Sequence, residues 1–444
     1  MKKHIRIAIG LLTILYTSCT QTFTVSQVRL SSEFTQVLVD RGYIKDANNI
    51  QLSELEKITE LDISDANLTS LDGIEHFKSL EILYCRGNFL TTLNVSQNTN
   101  LTELYCLRNK LASLDVCKNT NLTTLYCAHN DITAMDISKN AKLIFLDCST
   151  NQLTSLDISN NKELRDLTCG NNPLRSLNVS NNSYLESLFC FDNQLTNLDV
   201  SKNTKLIELS CCDNLLTTIN VSNNPNLEYF NCGTNSIERL DISINTNLEY
   251  LNCSFNKLTN LDISNNPNLE YFNCGTNSLE SLNTSNNTNL TELLCLNNQL
   301  KNLDISNNTN LEYFDCGTNS LESLNTSNNT NLTELRCLNN QLKNLDISNN
   351  TNLVFLHCGM NKITKLDVRR NTNLTYLDCH ENQLPNLDVS QNTNLTALWC
   401  NNNPGNGSKF PIKAWFDNHS IPNTFNYDEY WTYNNNRIEV DFYK

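Results

Sequence analysis

Between residues 58 and 403 the apolar positions follow one fixed sentence. It reads Leu-x-x-Leu/Phe-x-Cys-x-x-Asn-x-Leu/Ile-x-x-Leu-Asp/Asn-Ile/Val-Ser-x-Asn and restarts every 21 residues. Sixteen cysteines, from Cys85 to Cys400, keep that step without a miss. Residues 101–121 and 374–394 match each other from opposite ends of the array. A globular core does not generate such a period, because its burial follows an irregular tertiary pattern. The pattern predicts a solenoid in which each unit is one turn and is covered only by its neighbours.

Within a unit, Leu-x-Cys is the predicted strand, with Leu and Cys pointing inward and the residues between and beside them outward. Parallel stacking at about 4.8 Å per rung makes seventeen rungs roughly 80 Å long. Residues 58–79 form a 22-residue first rung with Ile63 in the place of cysteine. Asparagine stands three places after every ladder cysteine, Asn88 through Asn403, and thirteen after most, Asn98 through Asn392. Both columns are predicted to be structural. Their amides can bond backbone groups freed at the strand end and the amides above and below, and Asn tolerates a left-handed backbone at tight corners. An aspartate column (Asp115, Asp136, Asp157, Asp199 and onward) is interchangeable with Asn at 94, 178, 220, 283 and 325. That points to a turn acceptor rather than a calcium rail, and the glycine-rich signature of calcium-binding β-rolls is missing.

The ends differ from the array. Residues 32–38 carry a helix pattern, with Ser32 as N-cap, Phe34, Val37 and Leu38 on one face, and Gly42 as the stop. From Pro404 the spacing ends and aromatics cluster, predicting a short helix over 412–418 and a hairpin over 427–442. The organisation read from sequence is 1–18 signal peptide, 19–57 tether and N-terminal cap, 58–403 solenoid, and 404–444 aromatic-rich C-terminal cap. Residues 269–310 and 311–352 differ only at Asn273/Asp315 and Leu294/Arg336, which marks an internal duplication of two units.

The Leu-x-x-Leu-x-Cys-x-x-Asn core followed by Leu-Asp-Ile/Val-Ser resembles bacterial surface leucine-rich-repeat proteins. It is similar to internalins with 21-residue units and a cysteine ladder, and to exported leucine-rich-repeat proteins of Bacteroidetes. The resemblance implies an α/β-type solenoid dominated by short parallel strands, a right-handed superhelix with an irregular or 3-10 convex side. It also implies a non-enzymatic surface or adhesion protein whose concave face engages a protein ligand. At the N-terminus, Lys2, Lys3 and Arg6 precede a short apolar run over 7–16 and then Thr17-Ser18-Cys19. This resembles a bacterial lipoprotein signal, with Tyr16 where leucine is usual. It implies lipidation of Cys19 and a place at the outer membrane or cell surface, with plain secretion as the alternative.

Charge and cysteine usage narrow the partners. With 32 basic against 47 acidic side chains the net charge is −15, so the basic stripe needed for nucleic acid or an anionic membrane surface is missing. Metal-type CxxC pairs are absent, and straight stacking holds neighbouring Cβ atoms too far apart for disulfides. The ladder is therefore expected to be reduced and buried, with no metal and no cofactor. Cys117 and Cys212 stand off the ladder, and Cys212, on an outward strand position, is the expected reactive thiol.

Variation concentrates on the outward strand positions. Three before the cysteine stand Phe145, Tyr229, Tyr250, Tyr271, Tyr313, Phe355 and Tyr376; one before stand Tyr84, Tyr105, Tyr126, Phe189 and Trp399. Carboxylates and amides, among them Asp147, Asn231, Asn252, Asn273, Asp315 and Asp378, lie between. Such a stripe is expected to bind a protein ligand through rigid aromatic contacts, or alternatively a glycan through ring stacking. His357, Asp378 and His380 neighbour one another on adjacent rungs. Without a nucleophile or a phosphate loop beside them they read as surface histidines, not a catalytic centre. The expected state is a monomer.

Overall fold

The computed structural model describes residues 30–444; the signal segment and Cys19 lie outside the described residues. A parallel sheet of eighteen strands runs the length of the chain. Seventeen strands come one per repeat, from Glu60–Asp62 to Ala397–Trp399, and the last, Asn426–Tyr427, is lent by the C-terminal cap. Register is unshifted throughout, as in Tyr229–Asn231 on Tyr250–Asn252 on Tyr271–Asn273. The chain is a leucine-rich-repeat superhelix with 21-residue turns. Each strand is three residues long and ends just before the ladder cysteine, whose amide still bonds the next rung, as Cys85 does to the Tyr105 carbonyl at 2.8 Å. Helix is confined to Ser32–Asp40, Leu52–Leu55 and a 3-10 turn at Ile74–His76 among the described residues.

Each rung buries one apolar side chain per corner. In the turn beginning at Leu101, the residues Leu101, Leu104, Cys106, Leu111, Leu114 and Val116 are all buried. Every one of these columns repeats down the stack, so the core is continuous and no rung has a complete core of its own. Sixteen cysteines form a fully buried column, and none of the described cysteines is bridged. Burial alone pushes the Cys253 thiol up to about 12, and the other ladder thiols move the same way.

The two asparagine columns are structural, and both donate to backbone carbonyls as expected. Asn340 donates to the carbonyls of Cys337 (3.2 Å) and of Cys316 one rung back (3.0 Å), and accepts from the Leu321 amide (2.9 Å). Each amide thus staples consecutive backbones; the amides do not bond one another. In the second column Asn266 donates to Ile242 (3.1 Å) and Asn245 (2.8 Å), while its own carbonyl oxygen has no donor. Only Asn308 and Asn350 in that column receive one, from the Thr284 (2.7 Å) and Thr326 (2.8 Å) hydroxyls that replace Ile or Val. Asparagine does take the left-handed backbone at tight corners, though outside these two columns, as at Asn171, Asn297, Asn339 and Asn402. That conformation belongs to the residue two after each cysteine, including Thr150, Thr234, Phe255 and Met360, with φ between 51° and 55°. The aspartate column does what its Asn exchange implied: Asp241 Oδ1 accepts from the Ser243 amide at 3.0 Å, and Asn220 does the same for Ser222 at 2.9 Å.

Both sheet edges are closed chemically. The first helix is capped by Ser31, one residue before the expected Ser32, whose hydroxyl accepts from the Phe34 amide. Phe34 and Leu38 bury against the first rung, Phe34 at 5.8 Å from Phe77, while Val37 is half-buried. Arg41 then donates to the Asp62 (2.8 Å) and Ser64 carbonyls, and the Tyr43 hydroxyl accepts from the Asp62 amide (2.9 Å). These are the groups an unpartnered edge strand would expose. At the other end the Asp428 carboxylate accepts from the Cys400 amide (2.9 Å), where a further rung would have offered a carbonyl, and from the Asn401 amide (3.0 Å).

The helix expected over 412–418 is absent. Lys409–Lys413 is a strand in a second, four-stranded sheet, paired with Asn436–Tyr443 and with Leu387–Asp388. Its side chains alternate, Phe410 and Ile412 inward, a period of two that fits a strand and not a helix. The expected hairpin is present as Tyr430–Tyr433 against Asn436–Tyr443. Its Trp431 donates to the Asn403 carbonyl at 3.1 Å and closes the core.

Candidate functional site: the outer face of the sheet

The outward strand positions form one continuous face, and the aromatic residues divide on it into separate groups. Tyr84, Tyr105 and Tyr126 stack on consecutive rungs, with ring centroids 4.6 and 5.2 Å apart. The Tyr105 hydroxyl donates to Glu103 at 2.8 Å; desolvation and that carboxylate both raise its pKa. A groove of about 540 Å³ lies beside this trio, walled by Arg41, Asp62, Asp65, Arg86 and Leu107. It is therefore amphipathic, with an aromatic floor and a charged rim.

The second group is Tyr229, Tyr250 and Tyr271, stacked at 4.4 and 4.3 Å, with Phe189 tilted against Tyr229 at 6.2 Å. In-register parallel strands force this stacking, because identical positions on adjacent rungs sit one strand spacing apart. It has a consequence for chemistry. Both faces of Tyr250 are covered by its neighbours, so only ring edges and hydroxyls meet solvent there. Tyr313 stands apart from this row, as the interruption by Glu292 on the rung between implies.

Tyr313 instead belongs to a third group. The Arg336 guanidinium lies over Tyr313 (5.6 Å) and over Phe355 (4.9 Å) and pairs with Glu334, while Phe355 stacks on Tyr376 at 4.2 Å. Burial raises the pKa of Asp315 beside them, against the pull of the Gly317 amide and Arg336. Trp399 stands at the far end, half-buried, and Phe145 is exposed between the first two groups.

Two readings of single residues change. Cys212 is not an activated thiol: burial first of all pushes it up to about 11, and its neighbours include Ser210 at 3.7 Å. The histidines are more than surface decoration. Asp378 is buried between them, with His380 Nδ1 at 2.6 Å from Oδ1 and His357 Nε2 at 3.2 Å from Oδ2. The 21-residue step places His357 beside Asp378 on the next rung, and that register is observed; what the sequence did not show is that the Asp378 carboxylate is buried between the two rings.

Similarity to solved structures agrees with the ladder. The functional domain of InlJ from Listeria monocytogenes, described as including a cysteine ladder, is 34% identical over 82% of this chain and 76% of that one, with a TM-score of 0.68. The chain belongs to the internalin-type leucine-rich-repeat proteins. The internalin InlF of Listeria monocytogenes (24% identity, 68% of this chain and 93% of that one, TM-score 0.63) shares the fold. So does YopM from Yersinia enterocolitica (23% identity, 87% and 92%, TM-score 0.64). No protein-family model and no curated protein sequence matches the chain. Among the described residues no helix is long and apolar enough to cross a membrane.

Proposed function

We propose that this internalin-type chain is a non-enzymatic binding protein, exported and held at the cell surface through Cys19, whose sheet face engages a protein ligand. One observation carries the reading. The two copies of the duplicated 42-residue segment differ at only two positions, and both lie on the sheet face one residue before a ladder cysteine. Asp315 and Arg336 of the later copy stand next to Tyr313 and Phe355, where charge and aromatic surface meet. Scaffold positions stayed identical while the face changed its charge. Arginine and tyrosine in partly buried clusters are the usual anchors of protein interfaces. A glycan reading is less well supported, because the rings that would stack on sugars stack on one another.

The test uses substitutions the sequence already tolerates. Asp315→Asn with Arg336→Leu turns the later copy into the earlier one, so the fold is expected to be unaffected. Ligands captured from surface extracts by wild-type protein should bind this variant about tenfold more weakly, the size of one lost anchor. Unchanged affinity would remove the reading, and retention of defined polysaccharides instead of proteins would favour the glycan.

A further inference from the structure

The His357–Asp378–His380 cluster has more chemistry than a surface ion pair requires. The three residues offer one ligand atom each, all within 4.8 Å of one another. A carboxylate between two imidazoles could be an ordinary hydrogen-bonded bridge, and on the His380 side it is: Oδ1 accepts from both the His380 amide (3.1 Å) and the ring. On the other side it is not. His357 Nε2 is buried and lies off the hydrogen-bond direction, so it has no partner although Oδ2 is 3.2 Å away. A buried ring nitrogen left unpaired beside a carboxylate oxygen calls for a partner.

We propose that His357, Asp378 and His380 form a three-ligand site for a divalent transition-metal ion of the zinc type, on the outer face of the sheet. The set of two imidazoles and one carboxylate suits that class, and three protein ligands leave a fourth position for water or a partner's side chain. Ligand atoms at about 2.05 Å around a tetrahedral ion are about 3.3 Å apart. The His357–Asp378 separation of 3.2 Å already matches, and the 2.6 Å on the His380 side opens by less than an ångström as the ion replaces the bridging proton. In each histidine the proton then sits on the nitrogen facing away from the ion. The side chains of His357 and His380 are about one-fifth exposed, which leaves the open position toward solvent.

Two features of the surroundings fit. Gly359, directly after the ladder cysteine of the preceding rung, makes the space for the His380 ring: a Cβ there would lie 2.4 Å from Nδ1. The charged groups near the cluster are Glu381 and Asp428, which favour a cation, and Arg336, which opposes it.

Zinc chloride titrated calorimetrically into the metal-free, reduced full chain at neutral pH should show one saturable site per chain. His357→Ala and His380→Ala should each weaken it about 100-fold or more, while His129→Ala, remote from the cluster, should leave it unchanged. Gly359→Ala keeps all three ligands and should also weaken binding by displacing the His380 ring; circular dichroism confirms the fold of each variant. Cobalt bound to the same site should show no thiolate charge-transfer band. No saturable zinc binding, equal binding in the histidine variants, or a thiolate band would each overturn the proposal.

Discussion

Asn340 tests the claim that amides staple the backbones of consecutive rungs. Its side chain is buried, donates to Cys316, Cys337 and Leu338, and accepts from the Leu321 amide. In Asn340→Ala the cysteine carbonyls are not orphaned. Cys316 O keeps the Asn319 amide at 3.1 Å and Cys337 O keeps the Asn361 amide at 3.0 Å. The Leu321 N–H has no such reserve and becomes a buried, unpaired donor. That costs about 1–3 kcal/mol, and the lost donations add roughly 1 kcal/mol more, for a total of about 3 kcal/mol. Asn340→Asp restores the acceptor for Leu321 but puts carboxylate oxygen against three carbonyls, and a buried unpaired charge costs about 3–5 kcal/mol. The predicted order is therefore wild type, then Ala, then Asp. A repeat array can open in parts, so hydrogen exchange at the Leu321 amide should be read alongside urea unfolding. A loss below about 1 kcal/mol for Ala, or a milder effect for Asp than for Ala, would refute the staple.

Three further outcomes are expected. Native protein should present few reactive thiols to a titrating reagent at mildly alkaline pH, and denatured protein most of those beyond Cys19; equal low counts restored by reductant would mean disulfides instead. Thr234→Asn, at φ 51°, should raise stability by about 1 kcal/mol by relieving a β-branched residue in left-handed backbone, measured as a higher urea midpoint. Mass spectrometry of the mature N-terminus should find Cys19 as a lipidated first residue; an unmodified start elsewhere would contradict the anchor.

The solenoid was legible because its cause is periodic: one 21-residue sentence repeated is one rung repeated, and parallel register follows without choice. The caps were only partly legible, since they occur once. Lys409–Lys413 reads locally as neither helix nor strand, and only its pairing with Asn436–Tyr443 decides it. The left-handed corner escaped because its occupants, Thr, Phe, Met and Glu among them, do not announce that conformation. The stripe was visible residue by residue. Its division into stacked groups, with Arg336 bridging Tyr313 and Phe355, depends on which rung holds Glu292 or Glu334 and is set by side-chain packing. The histidine cluster was legible in its register, but the burial of the Asp378 carboxylate between the two rings was not.

The most direct test of the sheet face as the binding surface compares affinities for one captured ligand. Tyr250→Ala with Tyr271→Ala removes the centre of the stacked row and costs the fold about 0.5–1.5 kcal/mol per lost stack, so the array should still fold. Lys202→Ala with Lys205→Ala alters the opposite, convex side. The account predicts weaker binding in the tyrosine variant by about 2 kcal/mol per anchor and no change in the lysine variant. Weakened binding in the lysine variant with unchanged binding in the tyrosine variant would contradict it.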